Sequence, residues 1–292
     1  MRANETSRTA AWVAAGRALA TARRAPEACR DPYAITMLSA PLRQAVEARV
    51  DGVWPNRPGP FARAALVDVT AKMMGPRTAA IDAHLTASRG MKQVVILGAG
   101  LDLRAHRLEA LREAVVFEVD HPATQADKQA RVAATPHLTR ALVYVPVDFE
   151  APGVEGSPLD AALERAGHRS GAPTTWLMEG VITYLDAADI NRTLEVIHRR
   201  SSPASRLIAT YNAPSAIRLG MRALTAFSRE PHRTTYQPDE MRRLLATYGF
   251  SVIDDTGGLE RAARFGQRPG LIELVWTRGH HVVAAQRAGS PA

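Results

Sequence analysis

The stretch VVILGAGLDLRAHRL, residues 94–108, constrains the fold more than any other part of the chain. Four apolar residues run without interruption, the backbone passes through Gly98-Ala99-Gly100, and charges then resume at helical spacing. A short apolar run closed by glycines reads as a strand feeding a helix through a tight turn. Glycine suits such a turn because a ligand held there approaches the backbone more closely than a Cβ permits. Strand, glycine turn and helix together are how α/β proteins hold a nucleotide. A dinucleotide fingerprint would place a third glycine at position 103, where this chain has Leu103. Two glycines without the third favour a cofactor that lacks a pyrophosphate. A plain strand-to-helix turn stays open as the alternative.

The surroundings of this unit extend the α/β reading. Residues 1–90 read as a helical cap, with alanine-rich segments, a loop at DGVWPNRPGP (residues 51–60) and a helix break expected at Gly75-Pro76. From residue 93 onward, short β-branched runs alternate with helix-like segments, the pattern of a sheet with crossover helices. Strands are predicted at residues 94–98, 115–119, 142–147, 174–179, 206–211, 250–254 and 271–277. The last two are too close for a comfortable crossover helix, so they are expected to pair antiparallel. Five parallel strands followed by such a pair suggest the seven-stranded sheet of class I methyltransferases, with an antiparallel last strand. Residues 212–245, between strands five and six, are rich in arginine and long enough to form a lid over a pocket.

Composition narrows the function classes. The formal charge is +8, but lysine stands only at 72, 92 and 128, and the arginines are spread among acids as in DEMRR and LERAAR. No basic run with interleaved aromatics occurs, which argues against nucleic acid while leaving an anionic substrate attractive. Cys29 is the one cysteine, so no intramolecular disulfide or cysteine-built metal site is possible, and no metal is expected. No run of eighteen apolar residues appears, and arginines interrupt the N-terminal segment throughout. A cytoplasmic protein without membrane span or signal peptide is expected.

Acidic residues at the predicted strand ends supply the chemistry. VVFEVDHP ends in Asp120, about twenty residues after the glycine turn, where a carboxylate can accept from both ribose hydroxyls. Glu118, two residues earlier, can be buried and paired with an arginine. VPVDFE puts Asp148 where an acid could receive an adenine amino group, with Phe149 beside the base; a turn residue is the plainer reading of that acid. WLMEGVITYL places Glu179 at the carboxyl edge, where open sheets bind ligands and where it could hold a cationic amino group. A helix-start acid is its alternative. His84 and His232 are candidate bases, yet neither lies in a recognised motif and each reads as a surface residue.

Taken in order, TSRTA, RDPYA, RTAAID, VVILGAGLDLRAHRL, FEVDHP, VPVDFE and WLMEGVITYL resemble the leucine carboxyl methyltransferase family, in its bacterial S-adenosylmethionine-dependent O-methyltransferase branch. The similarity covers about residues 6–211. It implies a class I methyltransferase fold with a helical N-terminal cap (residues 1–90), a core (residues 91–292) and an acceptor lid. It implies that Arg77 lies near the methionine and acceptor carboxylates and that Gly98 and Gly100 line the cofactor. Asp120 would then take the ribose, Asp148 and Phe149 flank the adenine, and Glu179 meet the methionine amino group. Tyr184 would reach the acceptor, and a proximity mechanism needs no assigned catalytic base.

LDLR stands where LDTR is commoner, DFE where aspartate-leucine is usual, and RTAAID lacks a second arginine, but none of these removes a cofactor contact. The acceptor implied is a small molecule or peptide, anionic and joined as a methyl ester, in the setting of secondary metabolism. A hydroxyl acceptor is the alternative. A nicotinamide-dependent reductase would need the third glycine and a tyrosine–lysine pair, and no lysine follows Lys128. A non-catalytic binder on the same scaffold is disfavoured by the intact set of Arg77, Asp120, Asp148 and Glu179.

Overall fold

The computed structural model describes residues 8–88, 90–148, 158–214, 233–268, 270 and 277–288. Among the described residues three α-helices precede the sheet: α1 (Arg8–Arg23), α2 (Ala40–Val50) and α3 (Pro58–Ala87). Their small apolar residues, among them Ala14, Ala15, Leu19, Val46 and Val67, form a core that also takes in Leu101 and Leu103 from beyond the glycine turn. Leu103 is thus a packing residue where a dinucleotide site would need glycine.

The expected break at Gly75-Pro76 does not occur; α3 runs thirty residues with Pro76 inside it. Gly75 serves close packing instead. A Cβ there would stand 2.7 Å from Pro26 Cδ and 3.0 Å from the Ala25 carbonyl oxygen. The glycine lets the chain after α1 lie directly on α3.

The sheet has seven strands: β1 (Gln93–Leu97), β2 (Val115–Asp120), β3 (Ala141–Pro146), β4 (Thr174–Met178), β5 (Arg206–Asn212), β6 (Phe250–Gly257) and β7 (His280–Arg287). Their order is β3-β2-β1-β4-β5-β7-β6. β1 through β5 pair in parallel, whereas β7 runs antiparallel to both β5 and β6. β1 and β4 are buried throughout, as strands covered by helices on both faces must be. Trp176, Met178, Ile190, Leu194 and Leu245 build the core on one face, while Ile81, Leu85, Val94 and Ile96 build it on the other. α3 therefore belongs to both the cap and the sheet packing.

The final strand differs from expectation. It is formed by HHVVAAQR at 280–287, while residues 271–276 of the predicted strand lie outside the described residues. Ala284 and Ala285 pair with β5 on one edge and β6 on the other, and both are buried in the sheet. Neighbours outweighed intrinsic strand preference at this position.

The crossover helices are α4 (Arg104–Arg107), α5 (Pro122–Val132), α6 (Pro158–Arg165) and α7 (Ala187–Arg199), followed by α8 (Pro238–Thr247) and α9 (Gly258–Arg264). Capping explains two of their starts. Asp186 accepts from the Asp189 N–H at 2.8 Å to open α7, and Glu240 accepts from the Gln237 N–H at 2.7 Å to open α8. The chain steps outward from β1 through β2 to β3, then back to β4. This leaves a topological switch point between β1 and β4, and their carboxyl ends form the crevice.

Candidate active site

Gly98 and Gly100 follow β1 with φ of +63° and +48°, left-handed values that favour glycine. A Cβ on Gly98 would meet Val181 Cγ2 at 2.6 Å, so the turn and the loop after β4 close on each other across the switch point. Asp120, the last residue of β2, accepts from the Gly100 N–H and from the His121 N–H, each at 2.6 Å. Burial raises its pKa, opposed in part by those two backbone donors. A carboxylate offers about four lone-pair sites, so roughly two remain for a ligand. That spare capacity is what a ribose diol requires.

Glu179 is the meeting point of two arginines. Arg77 Nε and Nη2 reach its Oε1 at 2.9 and 2.7 Å, and Arg104 Nη1 donates to its Oε2 at 2.7 Å. The two guanidiniums overcome the burial of Glu179 and hold its carboxyl far below the usual carboxylate range. Three donors leave about one acceptor site, enough for one N–H of an ammonium group.

Behind this pair lies a chain of buried charges. Arg104, fully buried, also donates through Nε to Asp82 at 2.6 Å and pairs with Asp102. Arg107 donates to the other oxygen of Asp82 at 2.7 Å and stands 3.5 Å from Asp31, which Arg17 meets at 3.1 Å. Arg17, Arg77, Arg104 and Arg107 balance Asp31, Asp82, Asp102 and Glu179, four charges of each sign. Asp102, Arg104, Asp82 and Asp31 all lie within the quoted motifs, but their mutual pairing has no local sequence signal.

Several expectations find a definite place. Glu118 is buried as foreseen, but its partner is Lys128, not an arginine. Asp148 is exposed beyond β3, with Oδ2 4.0 Å from His121 Nε2. Tyr184 ends a short 3-10 turn after β4 and is half-buried. His84 pairs with Asp254 at 3.0 Å and is half-buried, so it is not a free surface base. Phe149 and His232 lie outside the described residues, as do residues 215–232 of the expected lid. The downstream end of that segment is latched to the loop after β4. The Arg233 N–H donates to Thr183 O at 2.8 Å, and Thr234 Oγ1 donates to Ile182 O at 2.7 Å.

One grouping escaped the sequence reading. Asp255 on β6 accepts from the Tyr211 hydroxyl at 2.7 Å and lies 3.0 Å from His281 Nδ1, with the two rings stacked at 4.9 Å. These residues meet at the carboxyl edge because β7 brings His281 opposite Tyr211.

Sheet order, glycine turn and carboxylate edge are those of the class I methyltransferase fold. The fold agrees with solved structures. A methyltransferase of Thermobifida fusca superposes with a TM-score of 0.55 at 15% identity, covering 88% of this chain and 93% of that one. The S-adenosylmethionine-dependent methyltransferase SibL gives 0.50 at 16% identity, over 87% and 72%. Sequence relatives are nearer. An S-adenosyl-L-methionine-dependent methyltransferase of Streptomyces coelicolor is 34% identical, covering 81% of this chain and 78% of its own. One of Mycobacterium tuberculosis is 31% identical over 95% and 84%. The leucine carboxyl methyltransferase family model matches residues 10–198, and the chain belongs to that family. It is an S-adenosyl-L-methionine-dependent methyltransferase, and the reductase alternative falls away.

Proposed function

We propose that the chain is an O-methyltransferase that esterifies a carboxylate on a small molecule or peptide. The observation that carries this reading is the position of Arg77. Its Nε and Nη2 are committed to Glu179, yet the residue also lines a cleft shared with Lys72, Arg261 and His280. Cationic side chains lining a cleft beside the cofactor edge favour an anionic acceptor. Bound S-adenosyl-L-methionine supplies an electrophilic methyl carbon on a sulfonium. Asp120 offers acceptor sites to the ribose diol, and the bare backbone at Gly98 and Gly100 allows close approach. Glu179, kept ionised by Arg77 and Arg104, offers its remaining lone pair to the amino group. Asp148, exposed just beyond β3, would take the adenine side.

A carboxylate acceptor is already ionised at neutral pH, so the chain's task is orientation, with the oxygen held about 3–3.5 Å from the methyl carbon. The test is a pH–rate profile with an identified acceptor, together with the hydroxide lability of the product. The expected profile is flat from about pH 6 to 8, because carboxyl groups titrate near pH 4. A hydroxyl acceptor is the second reading, favoured by the Asp255–His281 pair, in which Asp255 orients an imidazole that can take a proton. It predicts a rising profile and a hydroxide-stable ether.

A further inference from the structure

Among the described residues, Arg261 on α9 is a buried cation without an anion of its own. It is 3% exposed, its guanidinium pairs with the Thr256 carbonyl, and its Nε has no hydrogen-bond partner. Among the described residues it forms no ion pair. The acids around it are engaged elsewhere: Asp255 with Tyr211 and His281, Asp254 with His84 and Arg264, and Glu260 with Arg264. Burial and the neighbouring Arg77 guanidinium lower its pKa to about 10, so it is still charged at neutral pH. An unpaired charge held away from water is costly, and two guanidiniums facing one cleft add repulsion.

The cleft itself is built. Gly258 lets α9 dock so closely that a Cβ there would stand 2.2 Å from the Thr277 carbonyl oxygen. Arg261 therefore stands in a fixed wall of a cleft that Met73, Met74, Pro76 and Arg77 of α3 also line. The free space is about 10 Å³, room for one water-sized group. A larger group enters by displacing the unbranched, readily rotated side chains of Met73 and Met74.

We propose that this cleft is the subsite for the acceptor's carboxylate, and that Arg261, which lines it together with Arg77, is the residue that selects for it. The proposal rests on the carboxylate reading above. An arginine fork whose buried Nε has no hydrogen-bond partner keeps a directional donor for a carboxylate that a lysine or histidine lacks. The cost of burying Arg261 unpaired in the free protein is the kind of strain that binding sites retain for function.

The test uses the full chain and butyrate as probe, with butyramide as the neutral isostere and chloride holding ionic strength constant. Thermal unfolding should show saturable stabilisation by butyrate over butyramide. Arg261→Met should fold with a midpoint equal to or above the parent, bind S-adenosyl-homocysteine with unchanged affinity, and bind butyrate at least about tenfold more weakly. Arg261→Lys, which keeps the charge but not the fork, should fall between the two. Undiminished butyrate affinity in Arg261→Met overturns the proposal. So does a parent protein that binds S-adenosyl-homocysteine but does not distinguish butyrate from butyramide, and the parent comparison stands even where a variant fails to fold. The carboxylate reading of the methylated group fails on a different measurement, the hydroxide stability of the product, so the two failures are told apart.

Discussion

Asp120 and Glu179 are both acids at the carboxyl edge, yet their surroundings give them opposite character. Asp120 faces backbone N–H groups and has its pKa raised by burial, whereas Glu179 faces two guanidiniums and has its pKa driven far down. Replacing Asp120 by alanine removes charge-assisted hydrogen bonds worth about 1.5–3 kcal/mol, so cofactor affinity should fall about ten- to a hundredfold. Calorimetry on the folded variant measures this. Glu179→Gln leaves Arg77 and Arg104 without their shared anion and should destabilise the fold by about 3–5 kcal/mol. The pH dependence follows from the direction of the shift. The folded carboxyl binds its proton more weakly than the unfolded one, so its contribution is complete above the unfolded value near pH 4 and is lost as pH falls toward the native one. Urea melts of parent and variant should therefore differ most at neutral pH and converge in acid.

At the scale of elements, α3 does the most to position the site. One face packs Ile81 and Leu85 against the sheet, its middle presents Arg77 to Glu179, and Asp82 one turn later holds Arg104 and Arg107. This requires a single uninterrupted helix, and Gly75 allows it by letting Pro26 lie against the helix surface. Gly75→Ala should cost about 1–3 kcal/mol through overpacking, read as a lowered midpoint in denaturant with unchanged slope. Alanine is otherwise the better helix former, so propensity alone predicts the opposite sign.

For the whole molecule, cap and sheet share α3 and one network of buried charges, so cofactor binding at the edge should stabilise the chain as a unit. Ligand at about a hundred times its dissociation constant adds roughly 2.7 kcal/mol, which for a chain of this size raises the midpoint by roughly 5–10 °C. S-adenosyl-homocysteine should produce that shift in a thermal melt. A nicotinamide dinucleotide should not, because Leu103 is packed into the cap core where its fingerprint needs a third glycine.

Local chemistry is what the amino-acid order determined by itself. Apolar runs, paired glycines and the twenty-residue step to Asp120 follow from backbone geometry within one strand–turn–helix unit, and they pointed to the cofactor edge before any coordinates. The helical cap, the first six strands and the place of Glu179 were legible for the same reason. Tertiary structure decided everything that depends on distant partners. Arg77 and Glu179 are 102 residues apart, and Arg104 and Glu179 are 75 apart. In sequence their mutual pairing leaves no mark, because no local period distinguishes a buried ion pair from an exposed one. The last strand shows the same limit, since HHVVAAQR is placed by backbone pairing to β5 on one edge and β6 on the other, partners that no local pattern announces. Arg261 acquires its meaning only when β6 and α9 fold it against α3, where burial strips away the water that would have made its charge unremarkable.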